Sequence, residues 1–245
     1  MIDPADIALL AAIGFLGALI FGLTGFGSSL VTIPLASHIV PLQFALALFA
    51  LGDLVSSYRV GLENPKNAVR SEWTRLVPVI LAGTALGVTL LVNLPRAAGM
   101  LLLGAFVLSY AVYSLSRHSS ERVISPRWAW VAGLAGGITS TLFGAGGPPY
   151  AIYLSQRGLT KERFRATLGF ATMASISLRV LAFLLTGLLL NIEVWIAAAA
   201  VVPAAFLGIA VARRLFLKIS RDTLLRAVTL MLLASGGSLV YRALG

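Results

Sequence analysis

The sequence contains no cysteine, which excludes disulfide bonds, thiolate metal sites and cysteine nucleophiles. It also has little charge. Only 11% of its 245 residues are charged and 58% are hydrophobic, whereas soluble domains carry roughly 25% charged residues. Its two histidines, His38 and His118, are far apart, and no acidic cluster is present. The composition excludes a soluble globular protein, and we expect neither a metal ion nor a cofactor.

Long uncharged runs fill most of the chain. Charged side chains are absent from residues 7–52, 76–95, 97–116, 128–156 and 194–212. A spanning helix needs about 20 apolar residues, and a helix satisfies its own backbone amides inside hydrocarbon. The sequence therefore predicts an all-α polytopic membrane protein. Because Asp3 and Asp6 lie where a secretory signal would carry basic residues, we expect the first segment to be retained as a structural helix.

The basic residues lie between the apolar runs. Most of the 19 Lys and Arg residues fall in four clusters, at 59–75, 117–127, 157–165 and 213–226. The positive-inside rule assigns all four clusters to the cytoplasm, which predicts a multi-pass protein of the cell inner membrane with both termini outside. Since apolar helices separate the clusters, the net charge of +10 indicates a lipid bilayer as the partner and not nucleic acid.

This orientation predicts both full crossings and broken segments. Full crossings are predicted over 42–60, 76–94, 97–116, 166–187, 194–212 and 223–241. Residues 5–39 and 128–156 are each interrupted by a glycine-rich turn, at 22–29 and 144–149. After each turn only about ten apolar residues remain, which is short for a full crossing. We interpret both segments as broken or re-entrant helical hairpins.

The two halves of the chain have the same plan. Each consists of one hairpin and three crossings, and this odd number of crossings gives the halves opposite orientations. We therefore predict one membrane transport domain over 1–245, made of a first repeat at 1–116 and an inverted second repeat at 127–245. The spacing of Gly25 and Gly27 recurs in Gly144 and Gly146. Inverted repeats with paired broken helices are typical of secondary transporters.

A known family has the same motifs. The first turn is followed by Val-Thr-Ile-Pro-Leu at 31–35, the second turn lies at 144–149, and a helix of small residues covers 81–87. In these motifs the chain resembles the TauE/SafE sulfite exporter family over both halves. The resemblance implies a permease for sulfite, sulfoacetate and related organosulfonates. The chain departs from the family's fuller glycine cluster, with Ser28 and Ser29 in the first turn and Pro148-Pro149 in the second, so the particular anion stays open.

Arg179 is the central candidate for binding an anion. It lies midway along an otherwise uncharged stretch, between Arg165 and Glu193. An arginine at the bilayer centre costs roughly 2.5 to 3.5 kcal/mol, so it should face the protein interior and have an anionic partner. Its planar fork of donors suits oxyanions, and we predict that it binds the substrate. The alternative is a structural ion pair with Asp53, the only acid within a predicted crossing.

Asp53 has three alternative roles. It takes up a proton, pairs with Arg179, or accepts hydrogen bonds from Ser56 or Ser57 and only stabilises the end of its helix. Arg59 is expected to extend to the membrane interface.

The glycine turns complete the predicted site. Glycine lets the backbone approach a ligand, and the helix after each turn presents amides and the positive end of its dipole. Two such ends meeting near the midplane would neutralise part of an anion's charge. Besides Arg179, the predicted substrate-binding residues are Thr24, Gly25, Gly27, Ser28, Ser29, Gly144, Gly146, Gly147 and Pro148, and Thr141 is expected to add a hydroxyl. Close helix packing is the interpretation favoured for Gly83, Gly87, Gly133 and Gly208.

Together these features predict a secondary transporter that exports sulfite or an organosulfonate by alternating access. An anion channel, or a permease for another small anion, is the alternative. We expect no enzymatic activity, because the sequence has no paired carboxylates, no Ser/His arrangement and no metal-ligand spacing. Homodimers are common among carriers, but no sequence feature specifies one.

Overall fold

In the computed structural model, the described residues are 3–116 and 123–215, together with 233, 236–238 and 241. Every regular element in this part of the chain is helical. The helices are α1 (Pro4–Thr24), α2 (Ser28–Ala36), α3 (Leu42–Gly61), α4 (Arg70–Asn93), α5 (Arg96–Ser116), α6 (Trp128–Phe143), α7 (Gly147–Ser155), α8 (Lys161–Leu185) and α9 (Ile192–Leu215), with a 3-10 turn at Pro65–Asn67. Most of the predicted crossing at 223–241, together with His118 and the C-terminus, lies outside the described residues.

Five helices are long and apolar enough to cross a membrane, namely α1, α3, α4, α8 and α9. Four of them cover predicted crossings, and α5 covers the predicted crossing at 97–116. The fifth, α1, is the first arm of a predicted hairpin, and its 21 residues are themselves enough for a full span. The prediction of a multi-pass helical membrane protein is thus confirmed.

Both helical hairpins form, and each breaks at its glycine turn. The first hairpin breaks between Thr24 and Ser28, and the second between Phe143 and Gly147. The arms after the breaks, α2 and α7, have 9 residues each. At 1.5 Å per residue, such an arm covers about 14 Å, roughly half of the hydrocarbon core. Neither arm is therefore long enough to cross the membrane by itself.

Equivalent helices in the two halves of the chain make equivalent contacts. α1 packs along α9, and its counterpart α6 packs along α4. α3 contacts α9, and its counterpart α8 contacts α4, while α3 and α8 pack against each other between them. A duplicated unit is expected to give this pattern. In both halves, the first arm of the hairpin packs along a long helix of the other half.

Small residues allow these helices to come close. A Cβ atom on Gly83 of α4 would lie 2.5 Å from the carbonyl oxygen of Leu134 in α6, and one on Gly208 of α9 would lie 2.4 Å from that of Phe15 in α1. Gly87 and Gly133 approach the facing helix in the same way. The packing role predicted for these four glycines is confirmed.

Three of the basic clusters meet at one end of the bundle. Glu63 after α3 is 3.4 Å from Arg165 Nη2 and 3.7 Å from Arg213 Nη2. Arg157 contacts Glu72 at 3.0 Å. The described residues Arg157, Arg165 and Arg213 of these clusters therefore lie at the same end of the bundle as the loop after α3, as the positive-inside rule requires. The side chain of Arg59 is exposed.

Candidate anion-binding site

Arg179 lies at the centre of the bundle and is only 1% exposed. Its Nη2 donates to Asp53 Oδ2 at 2.8 Å, and its Nη1 donates to the carbonyl oxygen of Ser140 at 3.1 Å. Its Nε is buried and has no hydrogen-bond partner among the described residues. The ion pair given above as the alternative role of Arg179 is thus present. The Nε donor of the guanidinium is therefore not used by any of the described residues.

Asp53 is bound by groups from two other helices. Ser28 Oγ donates to Oδ1 and Ser29 Oγ donates to Oδ2, each at 2.6 Å, and Arg179 supplies the third bond. Ser56 and Ser57 donate instead to carbonyl oxygens of their own helix, so the expectation that they bind Asp53 is wrong. The carboxylate therefore connects α3 to α8 and to the first turn of α2.

The two glycine turns contact each other beside this ion pair. A Cβ atom on Gly144 would lie 2.6 Å from Ser29 Cβ and 2.9 Å from Arg179 Nη1. A Cβ atom on Gly147 would lie 2.4 Å from Phe26 Cβ. The turns are far apart in sequence but meet as predicted. Together with Asp53 they enclose the guanidinium.

The glycines of the turns serve two purposes. Gly25 and Gly144, which end α1 and α6, have φ of +83° and +71°, a left-handed conformation that favours glycine. Gly146 has an ordinary φ of −73° and is required for space, because its Cβ would lie 2.8 Å from the carbonyl oxygen of Gly136. The Thr24 hydroxyl bonds to the backbone of Ile20 and Phe26 and so holds its own turn.

Two small cavities flank the ion pair. The first is lined in part by Gly17, Ser28, Thr32, Asp53 and Val201. The second is lined in part by Ser28, Asp53, Ser140, Gly144, Tyr150 and Ser175. Asp53 and Ser28 border both and form the wall between them. Each cavity has room for about one water molecule, so an oxyanion requires the surrounding helices to move apart.

The predicted residues divide into three groups around these cavities. Gly27, Ser28, Gly144, Gly146 and Gly147 line the second cavity. Arg179 and Ser29 bind Asp53 directly. Thr24, Gly25 and Pro148 line neither cavity.

The second turn offers fewer donors than the sequence suggests. The hydroxyl of Thr141 donates to Gly137 of its own helix and lies against Gly87 of α4. Pro148 and Pro149 have no amide hydrogen, so α7 presents fewer amides than α2. The arrangement around the ion pair is therefore asymmetric, because both hydroxyls that donate to Asp53, those of Ser28 and Ser29, belong to the first hairpin.

Several polar residues of the second cavity were not predicted from the sequence. Tyr150 is fully buried, and its hydroxyl donates to Ser175 Oγ at 3.0 Å. Thr172 lines the same cavity. Thr172 and Ser175 precede Arg179 at the spacing that places all three on one face of α8, and this periodicity was the available signal. Tyr150 gives no such signal because it lies in an apolar segment.

A second buried acid, Glu72, holds the second hairpin to α4. Its side chain is 4% exposed. The helix α4 begins at Arg70, before the predicted crossing at 76–94, and therefore includes Glu72. Glu72 accepts a hydrogen bond of 2.5 Å from Tyr153 Oη of α7 and bonds of 3.2 and 3.0 Å from Arg157 Nε and Nη2. We call Tyr153, Glu72 and Arg157 the clamp. The bonds to Glu72 raise the pKa of Arg157, so Arg157 stays charged in the clamp.

Replacing Tyr153 with phenylalanine is expected to lower the free energy of unfolding by roughly 1.5 to 3 kcal/mol, because a hydrogen bond to a charged group is lost. The measurement is thermal unfolding of the purified protein in detergent. Tyr58→Phe is the matched control, since the Tyr58 hydroxyl is in an exposed position and accepts one bond of 3.3 Å from Ser177. Equal melting temperatures for the two variants would show that the clamp contributes nothing.

The helices and the two broken hairpins define a polytopic membrane protein built around a buried ion pair. The family model described as sulfite exporter TauE/SafE matches residues 10–239, and the chain belongs to this family. The membership confirms the resemblance noted in the sequence and indicates a membrane transporter of sulfur anions. A transporter family is also consistent with the expectation of no enzymatic activity. Searches of curated proteins and of solved structures gave no match.

Proposed function

We propose that the chain is a secondary transporter that carries a small sulfur-containing anion, such as sulfite or an organosulfonate, by alternating access around Arg179. The observation that carries the proposal is the fully buried guanidinium at the contact between two broken hairpins. A buried ion pair is a poor source of stability, because apolar residues of the same volume often serve as well. A role in binding explains its presence at the centre of a membrane protein.

The contacts of Arg179 couple anion binding to movement. Nη1 holds the end of α6 through Ser140, and Nη2 holds Asp53, which is bound to Ser28 and Ser29 of α2. An incoming oxyanion competes for the same donors. When it takes them, both hairpins lose their hydrogen-bonded link to Arg179, and the turns are free to separate.

Alternating access follows from the repeats. The exchange of helix contacts between the halves supports two copies of one unit, at 1–116 and 127–245. With three crossings and a hairpin in each copy, the copies have opposite orientations, and rocking one against the other opens the site to each side in turn. The small size of the cavities beside Asp53 favours this mechanism over a continuous channel.

The proposed location is the inner membrane, with the basic end in the cytoplasm and both termini outside. An inside-negative potential favours the exit of each negative charge by about 2.3 kcal/mol per 100 mV. Uncoupled export of a monoanion is therefore downhill.

The test is efflux from liposomes that contain the purified protein and are loaded in turn with sulfite, thiosulfate, sulfate, sulfoacetate and chloride. We expect at least one sulfur anion to leave at a rate that saturates with its concentration, while chloride does not compete. Protein-free liposomes give the background. A current that rises linearly without saturation would indicate a channel, and flux of no sulfur anion would contradict the proposal.

A further inference from the structure

The carboxylate of Asp53 occupies the place where an anion would reach Arg179. Asp53 borders both cavities, whereas Arg179 lines neither. Among the described residues that line the cavities, Asp53 is the only one with a charged side chain. An anion that enters either cavity therefore meets a negative charge first, and the guanidinium behind it is already neutralised at 2.8 Å.

We infer that Asp53 is an internal competitor of the transported anion and that the anion binds only when Asp53 takes up a proton. The chain then carries one proton with each anion. This inference rests on the proposed function and adds its coupling ion. The proton adds to the Asp53 carboxylate, and Nη2 of Arg179 exchanges the carboxylate for an oxygen of the anion.

The charge of the site supports this order of events. In the closed structure Asp53 and Arg179 sum to zero. A neutral Asp53, a cationic Arg179 and a bound monoanion also sum to zero. If Asp53 stayed ionised, the anion would add an uncompensated negative charge to a buried site, which is strongly unfavourable. Proton uptake is therefore the way to free the donor without burying net charge.

The surrounding groups can accommodate a neutral Asp53. The hydroxyls of Ser28 and Ser29 can donate to a carbonyl oxygen and accept from a carboxylic acid, so both bonds at 2.6 Å can persist. The unpartnered Nε of Arg179 provides a further donor for the anion.

No other group in the described surroundings is as well placed to take the proton. From α8, Asp53 faces Arg179, which stays protonated. From α7, Tyr150 borders the second cavity, and its hydroxyl is bound to Ser175. From α1 and α9, the first cavity is lined by small or apolar residues, and from α2 by hydroxyls; these are Gly14, Gly17, Ala18, Val201, Ala205, Ser28 and Thr32. Within the part of the chain that the structure describes, Asp53 is thus the only carboxylate at the site.

The coupling changes what drives transport. One monoanion moving with one proton carries no net charge, so the membrane potential does not act on it. The driving force is then the product of the anion and proton gradients. Uncoupled transport of the same monoanion would instead follow the potential.

The experiment uses liposomes that contain the full chain, with a pH-sensitive dye inside. The probes are methanesulfonate and ethanesulfonate, monoanions whose charge is constant over the tested pH range, so the substrate cannot carry the proton itself. For the wild type we expect an imposed anion gradient to move protons in the same direction. The apparent affinity for the anion should rise by up to about tenfold for each unit of pH decrease.

Asp53→Asn is the matched variant, because asparagine keeps the shape and hydrogen bonds of a neutral aspartic acid. We expect its anion affinity, measured in detergent by calorimetry, to be independent of pH, with no proton movement in liposomes. Anion flux by the wild type without proton movement would overturn the inference and leave the proposed function intact. If the wild type moves neither probe nor any anion of the panel, both fail. Should the variant not fold, the wild-type dye measurement decides alone.

Discussion

Arg179→Gln is expected to abolish anion flux and to lower the free energy of unfolding by about 3 to 5 kcal/mol, because Asp53 is left as a buried charge without a partner. The double variant Asp53→Asn/Arg179→Gln distinguishes a loss of flux caused only by unfolding from a loss of flux caused by the missing anion ligand. This variant has no unpaired charge, so most of the stability should return. Its flux should stay absent, since the donors for the anion are gone. The measurements are thermal unfolding in detergent and efflux from liposomes.

Arg59→Gln is the control for this prediction. Arg59 lies in α3, the counterpart of the helix that contains Arg179, but its side chain is exposed. The substitution removes the same charge, yet we expect stability and flux close to those of the wild type. Full flux in the double variant would contradict the assignment of Arg179 as the anion ligand.

Gly144→Ala is expected to damage the protein more than any other glycine substitution in the turns. A left-handed alanine costs about 1 to 2 kcal/mol. The new methyl group would also lie 2.6 Å from Ser29 Cβ and 2.9 Å from Arg179 Nη1, and such overpacking costs typically about 1 to 3 kcal/mol more. Because the methyl group would separate the turns at the ion pair, we also expect anion flux to be lost.

Gly25→Ala isolates the conformational part of this effect. Gly25 is the corresponding residue of the first turn, with a φ of +83°, but nothing lies within 4 Å of its Cβ position. It should therefore lose only the conformational term and retain flux. The difference in the free energy of unfolding between the two variants, about 1 to 3 kcal/mol, measures the contact between the turns. Equal losses would mean that the turns do not touch as described.

Much of the fold was predictable because the membrane imposes simple rules. Uncharged runs of sufficient length gave the positions of the helices, and glycine turns gave the two breaks, since left-handed backbone at Gly25 and Gly144 ends a helix. The burial of Arg179 followed from its place midway along an apolar stretch. These are properties of short stretches of sequence. They determine the positions of the helices because a bilayer allows so few other backbone structures.

The partners of the buried charges were not predictable from local spacing. Ser56 and Ser57 lie one turn from Asp53 on the same helix, yet its partners are Ser28 and Ser29. That contact depends on how the first hairpin folds back against α3. Glu72 was missed for a related reason: its burial depends on Tyr153 and Arg157, which are distant in sequence.

Anomalous diffraction from crystals grown with selenite, the selenium analogue of sulfite, tests the central claim most directly. The account predicts a selenium peak within hydrogen-bond distance of the Arg179 guanidinium, beside the Gly144 turn, with Asp53 displaced from Nη2. A selenium peak found only at the exposed arginines of the basic clusters, with the bond between Arg179 and Asp53 intact at saturating selenite, would contradict it.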